Sequence, residues 1–187
     1  MPNDETMNLA LISLLVTIAL AIVGFIVTYL NSLRLEKRKE RLALVDLRLN
    51  EFYGPLYVAT RAGAIVFAAL RKKLSRDEVF PNRREPDPKA FSEWKIWLVN
   101  VFMPLNDVLE RLILNKAHLI REPEMPECLL LFVAHNAAYK AVLKKWERND
   151  FSDYLSIIDF PVEIEQYALN SFKELKSEQL RLIGLVS

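Results

Sequence analysis

Twenty-four consecutive residues without a formal charge, Met7 to Leu30 (MNLALISLLVTIALAIVGFIVTYL), constrain this chain more than any other feature. At about 1.5 Å per residue the run makes a helix of roughly 36 Å against a bilayer hydrocarbon core of about 30 Å, enough to cross once with some tilt. Fourteen of its residues are Leu, Ile, Val or Phe. Each favours insertion by about 0.3–0.6 kcal/mol near the helix centre, and Asn8, Ser13, Thr17 and Thr28 offset only part of that. The run reads as a transmembrane helix. A cleaved signal peptide competes, because Ala19-Leu20-Ala21 has the small-x-small form of a cleavage site. The flanks oppose it: Asp4 and Glu5 stand where a basic segment is needed, and the apolar run continues well past Ala21.

All 25 Lys and Arg follow Leu30. The positive-inside rule therefore places residues 1–6 outside, residues 7–30 in the bilayer and residues 31–187 in the cytoplasm, as a single-pass inner-membrane protein. Arg34, Lys37, Arg38, Lys39 and Arg41 crowd the exit of the span and are candidate contacts for anionic lipid headgroups. Each contributes about 1 kcal/mol near such a surface before Glu36 and Glu40 are discounted. The plainer reading of this cluster is a topology signal on a solvated helix face. Within the span, Ala10, Ser13, Thr17, Ala21, Gly24 and Thr28 repeat at steps of three and four, a small-residue face suited to helix association in lipid. The same stripe continues through Leu35, Leu42, Val45, Leu49 and Phe52, which implies a parallel, left-handed supercoil with a second copy, or else packing on the chain's own bundle.

The 157 residues after the anchor suffice for one domain with a sizeable core. They hold 25 basic and 22 acidic residues, a balance that gives no reason to expect nucleic acid as a partner. Gly54-Pro55 is expected to end the first helix in a hairpin, and the alanine-rich stretch from Leu56 to Leu74, apolar nearly all round, to take a central place in a bundle. Residues 76–88, with three prolines and seven charges, read as a loop, closed by Asp87 as N-cap and Pro88 at the first helical position. Trp94, Leu98, Val101, Leu105, Val108 and Leu112 mark the buried face of the next helix, with a kink or break at Phe102 and Met103 ahead of Pro104. Pro126 opens a helix with the stripe Leu129, Phe132, Asn136, Tyr139, Leu143 and Trp146. Asn149 to Phe160 form a loop anchored by Phe151 and Tyr154, and a last helix runs from Pro161 to a stop at Gly184. No alternating run long enough for a sheet occurs. The expected fold is all-α: one N-terminal transmembrane helix continuing into a cytoplasmic bundle of about four to five helices.

The segments LNEFYGPLY (49 to 57), NVFMPLN (100 to 106), HLI with MPE (118 to 127), AHNAAYKAVLKKWERNDFS (134 to 152) and FKELKSEQLRLIG (172 to 184) resemble a group of uncharacterised bacterial proteins with one N-terminal span and a helical cytoplasmic region. The resemblance implies that layout and carries over no activity and no site residues.

Catalytic, cofactor and metal signals are missing. Neither His118 nor His135 completes a Glu-x-x-His, His-x-x-x-His or His-Glu-x-x-His pair, and the glycines outside the span (Gly54, Gly63, Gly184) are too scattered to cradle a phosphate. Cys128, the single cysteine, reads as a buried structural thiol, and Trp94, Trp97 and Trp146 as core. The one polar constellation is His135, Asn136, Tyr139 and Lys140, at helical offsets that would either line a pocket or form a hydrogen-bonded layer fixing bundle register. The sequence thus implies a membrane-anchored interaction or scaffold module, not an enzyme, whose partners are the bilayer, a second copy of itself or an unidentified protein. The alternative is an effector whose oligomerised span permeabilises the bilayer.

Overall fold

A computed structural model describes residues 4–74 and 87–185, and these are all-α. The segment expected as a loop at residues 76–88 lies outside the described residues except for Asp87 and Pro88. Helix α1 (Asp4–Arg48) runs through a π turn (Leu49–Tyr53) into α2 (Gly54–Lys73). Helix α3 (Pro88–Trp97) runs through a second π turn (Leu98–Phe102) into α4 (Met103–Lys116), which tightens into a 3₁₀ turn at Ala117–Leu119. Helices α5 (Glu127–Glu147) and α6 (Glu163–Ile183) complete the chain. It divides into two units, Met1–Leu44 and Val45–Ser187.

Among its described residues the first unit is helix alone. It contains the stretch long and apolar enough to cross a membrane, and no part of that stretch is buried. Its hydroxyls turn back on the helix: Thr17 donates to the Ser13 carbonyl and Thr28 to the Gly24 carbonyl, each at 2.8 Å. That leaves few polar groups seeking an outside partner.

The second unit packs around two apolar clusters. The larger joins Leu49, Phe52 and Tyr53 to Leu109 and Ile113 of α4, Leu129 and Phe132 of α5, and Ile164, Ala168 and Leu175 of α6. The smaller is aromatic and gathers Leu70, Trp94, Leu98, Met103, Tyr139, Val142 and Trp146. Each side chain of this size that leaves water contributes about 1.5–3 kcal/mol. Val45, Leu49 and Phe52 are therefore committed to the bundle's own core and are not a seam for a coiled-coil partner, which corrects the supercoil expectation for that half of the stripe.

Gly54-Pro55 does not end the helix. A proline in a regular helix lacks one hydrogen bond and clashes with the carbonyl four residues earlier. Here the Gly54 N–H bonds to the Leu49 carbonyl, five residues back, and the widened turn admits the ring while the helix continues. The fit requires glycine, since a Cβ at position 54 would stand 2.5 Å from that carbonyl oxygen. Pro104 is handled in the same way: the Met103 N–H bonds to the Leu98 carbonyl, and the expected kink is a π turn within an unbroken helix. Its extra residue shifts the buried face. Beyond Leu98 the buried positions are Met103, Asn106, Leu109 and Ile113, whereas Val108, expected inside, is 48% exposed.

Other boundaries follow the sequence. Asp87 caps α3 by accepting the Ala90 N–H at 3.3 Å. Gly184 terminates α6 at φ 80°, with its N–H and that of Leu185 returning to Arg181 and Leu180. Helix α2 is not central, however. It packs on α4 and α6, and Val58 and Ile65 face solvent at 64% and 56% exposure.

Candidate functional site

The second π turn sets which side chains α4 turns toward α5. Asp107 and Glu110 meet Asn136, whose amide nitrogen donates to Glu110 Oε2 at 2.7 Å and to Asp107 Oδ1 at 3.2 Å. Lys140, one turn on, bridges the same carboxylates, contacting Glu110 Oε2 closely and Asp107 Oδ1 at 3.2 Å. The hydrogen bonds that it donates, first to Glu110 and then to Asp107, raise the Lys140 ammonium above its ordinary value. Asn136 is fully buried, and its Oδ1 has no partner among the described residues. This group is a clamp holding α4 to α5.

His135 and Tyr139 turn away from the clamp. The four polar residues expected together on one helix therefore divide between two surfaces. His135 Nδ1 lies 2.6 Å from the Ile158 carbonyl, and its ring packs against Tyr139 and Phe160 with centroids at 5.1 and 5.5 Å. A carbonyl only accepts, so Nδ1 carries the hydrogen and Nε2 is left as an acceptor. Burial pushes the imidazole below its ordinary value, outweighing the opposing hydrogen bond to Ile158. The segment 148–162 is fixed to α5 at several further points. Ser156 Oγ donates to the His135 carbonyl at 3.3 Å and accepts the Ile158 N–H at 3.1 Å, and Trp146 Nε1 donates to the Asp153 carbonyl at 2.8 Å. Phe151 and Tyr154 anchor it against Phe91, as their positions in the sequence lead one to expect.

Between the two apolar clusters this segment closes one side of a cavity of about 550 Å³. Its other wall is α2, where Ala59, Gly63, Ala64 and Ala68 leave the space open. Leu98, Phe102, Leu105 and Asn106 supply the floor, and His135 and Tyr139 reach it from α5. Arg71, Asp159 and Glu165 also line the cavity. The sequence signal for this cavity is the row of small residues along α2 at helical spacing. Asn106 carried no such signal, because the π turn that rotates it inward is invisible to a regular period.

A second, partly buried network gathers residues that sequence reasoning did not connect. The Tyr53 hydroxyl donates to Glu122 Oε2 at 3.3 Å, lies 3.3 Å from the Tyr167 hydroxyl and accepts the Arg121 N–H at 3.0 Å. Tyr167 also donates to Glu122 at 3.1 Å, and burial keeps its hydroxyl protonated far above the ordinary range. Arg121 sits over the Tyr53 ring at 5.5 Å and pairs with Glu174 at 2.9 Å. The network ties the segment after Leu119 to the first π turn and to α6.

The remaining candidates lie in the first unit. Arg34, Lys37, Arg38, Lys39 and Arg41 are all exposed, as are Ser13, Thr17, Ala21, Gly24 and Thr28, while Ala10 lies outside the described side chains. Among the described residues no group of three His, Cys, Asp or Glu side chains is placed to hold a metal ion. Cys128 is half-buried beside the larger cluster, and burial pushes its thiol up. Comparison with protein-family models, curated proteins and solved structures finds no match to this chain.

Proposed function

We propose that this chain is a single-pass membrane protein whose helical bundle is an interaction module on the cytoplasmic side, acting by binding a protein partner or a second copy of the chain. The observation that carries this reading is an apolar helix whose most hydrophobic stretch is wholly uncovered, joined to a bundle that has its own core. Phe25 alone is 72% exposed, and Leu9, Leu15 and Leu20 are each above 60%. Fourteen such side chains together favour a bilayer by roughly 4–8 kcal/mol before polar residues are discounted. Basic residues that all follow Leu30 supply the orientation.

Two experiments test the reading. The full chain should resist extraction from membranes at alkaline pH, and a reporter fused after Ser187 should be active only if it reports from the cytoplasm. Release by alkali, or activity of a periplasmic reporter, overturns the anchor or its direction. For self-association, replacing Ala21 and Gly24 with Leu should weaken crosslinking in membranes, because a close helix approach needs small residues. Leu at Ile22 and Phe25 should not; equal behaviour of the two pairs removes the homo-oligomer.

A further inference from the structure

We propose that the cavity between α2 and α5 binds one uncharged amphiphile, a single alkyl or isoprenoid-like chain whose hydroxyl group pairs with Asn106 and His135. The dimensions select the chain. The cavity follows α2 from Ala59 to Arg71, about 18 Å at the helical rise, so its volume of about 550 Å³ corresponds to a mean cross-section of roughly 30 Å². A slot of this length and volume admits one hydrocarbon chain. The volume also falls within the range of about 300–1,000 Å³ usual for small-molecule sites.

The polar groups select the head. Asn106 is 8% exposed and lines the cavity, yet its side-chain amide pairs with no group among the described residues. The amide borders space that a ligand can fill, where a polar group on the ligand would meet its donor and acceptor. His135 is 6% exposed and lines the same cavity, with Nδ1 committed to the Ile158 carbonyl. A hydroxyl is the group that can both accept from the Asn106 amide and donate to an imidazole nitrogen. Charge does not select an ionic head: the charged lining residues, Arg71, Asp159 and Glu165, are of both signs, and Glu165 is paired to Arg61 at 2.5 Å.

The test uses the full chain in phosphatidylcholine nanodiscs and, as probe, hexadecanol carrying a mid-chain diazirine and a terminal alkyne. After irradiation, adducts should map to peptides within 54–74 and 127–147. Unlabelled hexadecanol should compete for those adducts about tenfold better than hexadecane, the worth of a buried hydrogen bond of about 1.4 kcal/mol. Ala64→Phe should fill the slot and abolish these adducts. Asn106→Leu keeps the volume, so it should retain labelling but erase the preference for the alcohol, while raising the unfolding midpoint of the ligand-free protein. Tryptophan emission monitors folding of both variants, and Asn106→Leu decides the matter if Ala64→Phe does not fold. Absence of adducts in the bundle, undiminished adducts in folded Ala64→Phe, or equal competition by hexadecane and hexadecanol in the unaltered chain overturns the proposal.

Discussion

Replacing Gly54 with alanine separates two ways of reading a glycine in a helix. By intrinsic propensity alone the change should stabilise the bundle by about 1 kcal/mol, because alanine loses less backbone entropy. The π turn predicts the opposite. The new Cβ would lie 2.5 Å from the Leu49 carbonyl oxygen, and the gap must open by about 0.9 Å to reach ordinary contact at 3.4 Å. Opening it loses the bond from the Gly54 N–H to Leu49. In a segment where Leu49, Phe52 and Tyr53 are all buried, leaving that pair unsatisfied costs about 1–3 kcal/mol, and Phe52 and Tyr53 must shift within a close-packed core. Setting about 3 kcal/mol against the gain of about 1 leaves a net loss of about 2 kcal/mol, or roughly 6 °C in the unfolding midpoint of a domain this size. The control is Gly63→Ala, whose Cβ would meet only the flexible Leu105 Cδ2, at 3.3 Å, and which should be neutral or mildly stabilising. Thermal unfolding of the full chain, followed by emission of Trp94, Trp97 and Trp146, measures both. A Gly54→Ala protein at least as stable as the parent would refute the reasoning.

Three further outcomes follow from the bundle. Asn136→Leu should lower stability by about 2 kcal/mol or more, because it strips a buried donor from Asp107 and Glu110 and leaves Lys140 alone between them; an unchanged urea midpoint would contradict the clamp. His135 has its folded value depressed by burial. The unfolded chain therefore binds the extra proton first, so His135's contribution is complete above about pH 6.5 and is lost as pH falls below it. His135→Gln should flatten the stability profile between about pH 6.5 and 5, above the range in which ordinary carboxylates titrate; an unaltered profile would show that the imidazole is not the cause. Cys128, its thiol pushed up by burial, should react with iodoacetamide at neutral pH more slowly in the folded chain than in urea, and equal rates would show an accessible thiolate.

The existence and order of the helices were legible because their apolar stripes, caps and stops are local. Asp87-Pro88 and Gly184 act where their chemistry requires, and Leu129, Phe132, Asn136, Tyr139 and Trp146 are buried on the spacing that marked them. Register after a proline was not legible. A regular period carried across Pro104 selects Val101, Leu105 and Val108, whereas the π turn puts Met103, Asn106 and Leu109 inside. The candidate site suffered from the same shift, since Asn106 enters the cavity only through that extra residue. His135 and Asn136 were found as polar residues on a buried face, but their opposite destinations depend on Asp107, Glu110 and Ile158, which are remote in sequence.

Each π turn is also a pinned defect. In an uninterrupted helix a single extra residue can migrate by exchanging one carbonyl partner for the next, letting side chains on either side rotate in steps. Here migration is blocked both ways. One step toward the C-terminus would require an N–H from Pro55 or Pro104, which neither has, and one step toward the N-terminus would press the ring against the carbonyl of Glu51 or Asn100. The phase of α2 against residues 45–48, and of α4 against α3, is therefore locked by a covalent ring, and twisting motion along these segments should stop at residues 55 and 104.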